Sequence, residues 1–498
     1  MKSIAEINEK IRRGEAVIVR ADEMPEIVSK KGPEKAAEKV DVVTTGTFGA
    51  MCSSGAFLNL GHSDPPIKIQ KAWLNDVEAY AGLAAVDLYV GATELSTEKG
   101  MDYGGGHVIE DLVAGRSVDV KAKSYGTDCY PAKYLETTIT LDDVNQAMLF
   151  NPRNNYQRYN AAANTSERTL YTYMGTLLPN MRNINYAGTG EISPLNNDPE
   201  YLTIGTGTRI FLGGAQGYVI SEGTQHSPKT GFGTIAVSGD LKEMSAKYLR
   251  GVSMKQYGTS LLVGIGVPIP VLNPKIAKCT AIQNPDIRTN ILDYSVPRRT
   301  RPVLKNVSYD ELISGKVSIG DKTVKTASMS SFRISYEIME KMREWMEAKE
   351  FYLTEPVRRL PRDTVFNPMR QKKKSTTVGK LMSKPVITVN VKSKLNAVSL
   401  VLVENNIDQV PVIDDDGRLV GIVTAWDITK ATAENRRKLS EVMTSNVIMS
   451  KEGEFIDEVS RRLEKHKINS TPIVDDERRV IGIITLSDIN KAYRGLNK

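Results

Sequence analysis

The sequence predicts an α/β protein in two parts, a large mixed α/β body over residues 1–355 and a smaller, internally repeated α+β module near the C-terminus. Two observations carry this. Short apolar strings such as VDVVTTGTFGA (40–50), AVDLYVGAT (85–93) and GYVISEG (217–223) alternate with stretches read as helical, DLKEMSAKYLRG (240–251) and SYEIMEKMREWMEAKEF (335–351), the pattern of helices layered on sheet. In addition, LMSKPVITV…IDQVPVIDDDGRLVGIVTAWDI (381–428) recurs as VMTSNVIMS…INSTPIVDDERRVIGIITLSDI (442–489), with Pro411 and Pro472, Gly421 and Gly482, and Asp427 and Asp488 each 61 positions apart.

The first stretch, MKSIAEINEKIRRGEAVIVRADEM, has apolar residues at helical spacing with charges between them, unlike the apolar centre of an export signal, and no export is expected. SLLVGIGVPIPVLN (260–273) holds two prolines and falls short of the ~20 residues a spanning helix needs, so it reads as a buried strand and turn, and no membrane association is expected. The net charge of +7 sits in local clusters such as VPRRTRP (296–302) and RQKKK (370–374), too mild a balance for a nucleic-acid partner. Three cysteines with no C-x-x-C pair exclude a disulfide scaffold, and a reducing, cytoplasmic compartment is expected. Residues 356–375, rich in proline and basic side chains and without periodicity, read as a linker.

Within each repeat copy, a strand, an acidic turn, a second strand and a helix follow one another, the helix opening at Thr424 in the first copy and at Thr485 in the second. These residues resemble a tandem cystathionine-beta-synthase-type (CBS) pair, with copies at 376–433 and 437–498. The resemblance implies a regulatory module for an adenosyl ligand: S-adenosylmethionine or methylthioadenosine ahead of AMP or ATP. Asp427 and Asp488 would accept the ribose hydroxyls, and Thr424 and Thr485 would favour a polar group at the helix start. Ile407, Val410 and Pro411 would flank the adenine. The plainer reading is that both aspartates only cap helices.

Candidate chemistry in the large body gathers in glycine-rich, polar stretches. GTFGAMCSSGAFLNLGHSDPP (46–66) sets Cys52 among small residues, with His62 and Asp64 downstream; MDYGGGHVIEDL (101–112) offers His107 and Glu110; SYGTDCYP (124–131) holds Cys129 beside Asp128; and TIGTGTRIFLGGAQGYVISEGTQHSP (203–228) offers Arg209 and His226. No pair has zinc-site spacing and no dinucleotide loop has the G-x-G-x-x-G spacing, so neither a metal nor a tightly bound cofactor is expected. Cys52 and Cys129, two loop thiols among small polar residues, fit nucleophilic chemistry; Cys279 reads as structural.

The strings around Cys52, His107 and Cys129 resemble the homocysteine-biosynthesis family of anaerobic archaea and bacteria, whose assigned activity is L-aspartate semialdehyde sulfurtransferase. The resemblance implies that Cys52 and Cys129 are the two functional cysteines. Making homocysteine from the semialdehyde replaces a carbonyl oxygen by sulfur and adds two electrons. A persulfide on one cysteine would deliver the sulfur, supplied as sulfide or by a persulfide donor; the second thiol would reduce the adduct and close a Cys52–Cys129 disulfide. A ferredoxin-like iron–sulfur protein would be the external reductant. His62 or His107 would shuttle a proton, Arg209 would meet the substrate carboxylate and Asp128 the ammonium. A homodimer through the CBS sheets is expected. Two alternatives remain: a CBS-containing, cysteine-dependent dehydrogenase of the inosine-monophosphate type, against which the C-terminal placement of the CBS pair argues, and a non-catalytic adenosyl-ligand sensor.

Overall fold

The structure, a computed structural model, describes residues 2–154, 157–369 and 376–495, so that the basic run RQKKK and Ser375 of the expected linker lie outside the described residues. It divides into two compact units, Met1–Pro368 and Met369–Lys498.

The first unit starts with helix α1 (Ile4–Arg13), whose spacing puts Ile4, Ile7 and Ile11 on one buried stripe. Ser3 and Glu6 cap it reciprocally, and Gly14, at φ 72°, ends it. Asp41 is fully buried; it accepts from Lys2 at 2.7 Å, Lys10 at 2.8 Å and the Val17 amide at 3.0 Å, tying α1 to the chain that follows. Burial works against the charge of Asp41, but Lys10, Lys2 and the amide hold its carboxyl below the ordinary aspartate range.

The main sheet has nine strands: β1 (Thr47–Ala50), β2 (Gly55–Asn59), β3 (Asp87–Gly91), β4 (Gln146–Asn154), β5 (Arg209–Leu212), β6 (Ala215–Glu222), β7 (Ile235–Asp240), β8 (Leu249–Met254) and β9 (Gly258–Gly266). Their order is β8-β9-β5-β6-β7-β4-β2-β3, with β1 paired to β9 off that path, and the pairings are antiparallel. The apolar run read as a buried strand is β9, continued by the strand Pro268–Pro270. Helix α2 (Gly105–Val113) packs one end of β9. A Cβ on Gly106 would lie 2.2 Å from the Ser260 carbonyl oxygen and one on Gly105 1.9 Å from that of Gly91, so the GGG string is a close-packing device. Helix α3 (Phe332–Glu347) covers the other end, burying Ile338, Met342 and Met346. No helix among the described residues is long and apolar enough to cross a membrane.

One helical expectation is overturned. DLKEMSAKYLRG forms only a 3₁₀ turn at Leu241–Glu243 and then enters β8, where Leu249 pairs with Val263 and Gly251 with Leu261. Cross-strand pairing along β9 outweighs the weak helical spacing of Leu241, Met244 and Tyr248.

Two six-stranded sheets flank the main one. In the first, the hairpin Val118–Lys123 and Tyr134–Ile139 forms one edge. The second mixes parallel and antiparallel pairs around Ala161–Ala163 and Asn183–Tyr186. The stretch read as linker begins on this body: Arg358–Arg359 pairs with Gly205–Thr206, and Leu360 is buried. His226 accepts the Thr234 amide on Nδ1 at 3.0 Å, leaving Nε2–H to donate to the Pro361 carbonyl at 2.9 Å.

The second unit is a pair of matching halves. Gln409–Ile413 pairs with Leu419–Thr424, followed by helix α4 (Ala425–Ala433); Ser470–Val474 pairs with Val480–Thr485, followed by helix α5 (Leu486–Gly495). The halves interlock reciprocally. A Cβ on Gly421 would meet the Met443 sulfur at 2.5 Å, and one on Gly482 the Met382 sulfur at 2.4 Å, while Ile422 exchanges backbone hydrogen bonds with Thr444 and Ile483 with Ser383. Each of these matching glycines of the repeat thus makes room for a methionine of the other copy.

Candidate active site and ligand module

Cys52 sits in the tight turn between β1 and β2. The Ser54 amide donates to the Met51 carbonyl at 3.0 Å and the Ser54 hydroxyl to the same oxygen at 2.7 Å, while the Met51 amide donates to Leu261 of β9. This fixes the half-buried thiol against β9, where the buried Ser260 hydroxyl donates to its sulfur at 3.0 Å. The small residues on either side admit close neighbours: Gly49 backs onto Ser330 and Gly55 onto Tyr89.

The thiol lines a cavity of about 310 Å³ at the seam between the main sheet and the second six-stranded sheet, with Tyr159, Tyr173, Phe232 and Tyr257 among its walls and Arg153 as the one charged lining residue among the described residues. The Tyr257 hydroxyl makes no hydrogen bond among the described residues. Burial first, then the charges of Cys52 and Tyr173, push its pKa up to about 12, so the group is held as a neutral O–H donor beside the sulfur. None of Arg153, Tyr257 and Ser260 was singled out from the sequence. Only Arg153 had a local signal: it follows Pro152 inside a strand, a sign of a bulge or an edge.

The structure does not bring the two loop thiols together. Cys129 is exposed at the tip of the edge hairpin, in a turn closed by Thr127 and Tyr130, next to an open depression lined by Leu83, Tyr125 and Tyr130. His62, from the Cys52 stretch, is exposed and stacks on Tyr130 with centroids 5.9 Å apart, so it belongs to the neighbourhood of Cys129. Asp128 is exposed beside Cys129 and has no hydrogen-bond partner among the described residues.

The remaining candidates lie off the cavity wall. His107 is at the third position of α2; its Nδ1 accepts the Gly104 amide at 3.2 Å and its ring stacks on Tyr103. Burial lowers its pKa and keeps it neutral, against the pull of Glu110 and Asp111. Arg209 lies over the rings of Tyr218 and Phe351, at 5.7 and 5.9 Å. Cys279 ends a short helix, its thiol pushed up by burial and then by Asp198 and Glu200. No group of three or more His, Cys, Asp or Glu side chains among the described residues is placed to hold a metal.

In the repeat module, Thr424 and Asp427 form a reciprocal cap on α4. Asp427 Oδ2 accepts the Thr424 amide at 2.9 Å and hydroxyl at 2.8 Å, and Thr424 accepts the Asp427 amide at 3.2 Å. Thr485 and Asp488 repeat this on α5 at 3.0, 2.7 and 3.1 Å. In both, the cap uses Oδ2 and leaves Oδ1 without a partner among the described residues, so capping and acceptance from a ligand hydroxyl are compatible. Ile407 is half-buried, Val410 fully buried, and Pro411 pairs with Ile422. The acidic strings at 414–416 and 475–477 are turns whose carboxylates are engaged: Asp414 and Asp475 bind their own backbone, Asp415 pairs with Lys392 and Asp476 with Lys451.

The first unit thus holds a half-buried thiol in a cavity wall, with a serine hydroxyl on the sulfur and a neutral phenol in the same lining, and the same chain carries a repeated accessory module, the organisation of an enzyme with an appended module. The chain belongs to the family described as homocysteine biosynthesis enzyme, sulfur-incorporation, which matches residues 16–353, and carries CBS domains at 378–434 and 439–495. It is 52% identical to a Methanosarcina acetivorans protein named L-aspartate semialdehyde sulfurtransferase, with 98% of each chain covered. It is 51% identical to a protein of the same name from Methanocaldococcus jannaschii, with 99% of each covered. Over 24% of this chain it is similar, at 41% identity and a TM-score of 0.24, to a solved CBS domain pair in complex with 5′-methylthioadenosine and S-adenosyl-L-methionine, 98% of which is covered.

Proposed function

We propose that this enzyme converts L-aspartate 4-semialdehyde to L-homocysteine, with the chemistry at Cys52. The observation that carries this reading is the cavity itself: a thiol held by Ser260, faced by the un-ionised Tyr257 hydroxyl, in a space sized for a small amino acid.

The steps balance with sulfide as sulfur source and an external two-electron donor. The cycle starts from a Cys52–Cys129 disulfide, made from the two free thiols by loss of two electrons and two protons to an oxidised iron–sulfur carrier and re-formed in every turnover; sulfide opens it, leaving a persulfide on Cys52 and a thiolate on Cys129. The terminal persulfide sulfur adds to the aldehyde carbon while Tyr257 donates a proton to the carbonyl oxygen. The Cys129 thiolate then attacks the Cys52 sulfur, re-forms the disulfide and expels the product sulfur as a 1-hydroxyalkanethiolate. Loss of water gives the thioaldehyde, and two electrons with two protons give the thiol. Both thiols are free here, Cys52 in the cavity wall and Cys129 at the surface, so the disulfide steps require the 124–133 hairpin tip to move inward. The two electrons that reduce the thioaldehyde come from the external donor, which we assign to a ferredoxin-like iron–sulfur protein.

The CBS pair is assigned to feedback. Homocysteine leads to methionine and on to S-adenosylmethionine, and the unpartnered Oδ1 atoms of Asp427 and Asp488 are acceptors suited to ribose hydroxyls. S-adenosylmethionine or methylthioadenosine is the ligand we assign, ahead of AMP or ATP. Because each copy's sheet already packs on the other copy, homodimerisation through this module falls to the helices, where Leu400, Val403 and Trp426 are exposed.

Purified protein supplied with aspartate semialdehyde, sulfide and a low-potential reductant tests the reaction: homocysteine is expected, in proportion to reductant consumed. Absence of homocysteine, or repeated turnover without any reductant, overturns it.

A further inference from the structure

Within that reading, the substrate presents an aldehyde, an α-ammonium and an α-carboxylate, and Cys52 accounts only for the first. An enzyme that distinguishes this aldehyde from others needs a group that reads the carboxylate. The cavity lining holds one charged side chain, Arg153, and its guanidinium has no hydrogen-bond or ion-pair partner among the described residues. A half-buried guanidinium without a protein partner is a donor set in want of an anion, and its planar fork matches a carboxylate bidentately.

Its placement is built in. The pairing of β4 with β7 shifts register between Asn151 and Asn154, a bulge that spans Pro152 and Arg153, and bulges re-aim the side chains they carry. The Arg153 amide donates to Asn151 Oδ1 at 3.1 Å, and Asn151 Nδ2 donates to Ser54 Oγ at 2.8 Å. On the other side, Ser53 Oγ donates to the Arg153 carbonyl at 3.0 Å. The Arg153 backbone is therefore clamped to the two residues that follow Cys52, which fixes the root of its side chain in the wall of the cavity that the thiol lines. Arg209, stacked on Tyr218 and Phe351, has no comparable access.

We propose that Arg153 binds the substrate α-carboxylate through its guanidinium fork and so sets the preference for an amino-acid aldehyde. Two measurements test this. The first is turnover of L-aspartate semialdehyde against 3-aminopropanal, which keeps the aldehyde and the ammonium but lacks the carboxylate. Wild type should prefer the semialdehyde by about 100-fold in kcat/KM, in line with a charge-assisted pair. Arg153→Ala should lose that preference, mainly through KM for the semialdehyde, with 3-aminopropanal little affected, and Arg153→Lys should recover part of it.

The second is protection of Cys52 from iodoacetamide by L-homoserine, which carries the same carboxylate on the same carbon skeleton and needs no turnover. Protection should appear in wild type and vanish in Arg153→Ala, with the thermal melt of the variant unchanged. Turnover with an unaltered preference in Arg153→Ala, or homoserine protection that does not depend on Arg153, overturns the proposal. Arg153-dependent protection in a protein that makes no homocysteine upholds the carboxylate site and overturns the reaction instead.

Discussion

Ser260 and Cys52 stand 208 residues apart in the chain and 3.0 Å apart in space, with the serine hydroxyl donating to the sulfur. That one hydrogen bond is possible because β1 and β9 pair directly and because the glycines of α2 let its first turn rest on the Ser260 backbone. Ser260→Ala should leave the fold intact and lower homocysteine formation about 5- to 10-fold, the size of one ordinary hydrogen bond. Alkylation of Cys52, followed by mass spectrometry, should change with it. Cys52→Ala and Cys129→Ala should each abolish activity, and Cys279→Ala should keep it.

Tyr257 lines the same cavity as Cys52, and its hydroxyl makes no hydrogen bond among the described residues. Because its pKa is raised to about 12, its proton is held throughout the range in which an exposed tyrosine begins to ionise. The pH profile of kcat should therefore show no loss of a phenolic proton near pH ~10. Tyr257→Phe should lower kcat by about 10- to 100-fold with little change in KM, the signature of an interaction made in the transition state. A profile that falls near the ordinary tyrosine pKa would place the phenol elsewhere.

Asp41 supplies the clearest link between pH and stability. Its folded carboxyl is lowered relative to the ordinary value near 3.8, so its contribution is fully present above that value and is lost as pH falls through the folded pKa. Asp41→Asn should cost about 1–3 kcal/mol at neutral pH, since Lys2 and Lys10 can still reach water. The same variant should unfold with a flatter dependence on acid. Denaturant titrations at neutral and acidic pH read both effects.

For the CBS pair, calorimetry on the full chain with S-adenosylmethionine, methylthioadenosine, AMP and ATP should find adenosyl binding that weakens in Asp427→Asn or Asp488→Asn, whichever copy is occupied. Asparagine retains an acceptor for the helix cap, so thermal stability should fall by no more than about 1 kcal/mol. Binding restricted to AMP and ATP would end the feedback assignment.

Much of this protein is legible locally. The repeat, its strand–turn–strand–helix units and the capped helix at Ile4–Arg13 are written in spacing and capping residues, because those features depend on neighbours within a few positions. The loop character of the Cys52 stretch is legible too, since a thiol among glycines and serines makes a poor core strand and here sits in a turn. The partners of that thiol are a different matter. Tyr257 and Ser260 belong to a turn and an apolar strand with no polar pattern, and Arg153 gains its place from a register shift against β7, so only the pairing of strands far apart in sequence assembles them. The same long-range pairing drew 249–254 into a sheet against its helical spacing, and it separated His62 from Cys52, its sequence neighbour, to stack it beside Cys129. Sequence determined which side chains are suited to react; the antiparallel register of the main sheet decided which of them meet, because backbone hydrogen bonds between distant strands outweigh any local preference at those positions.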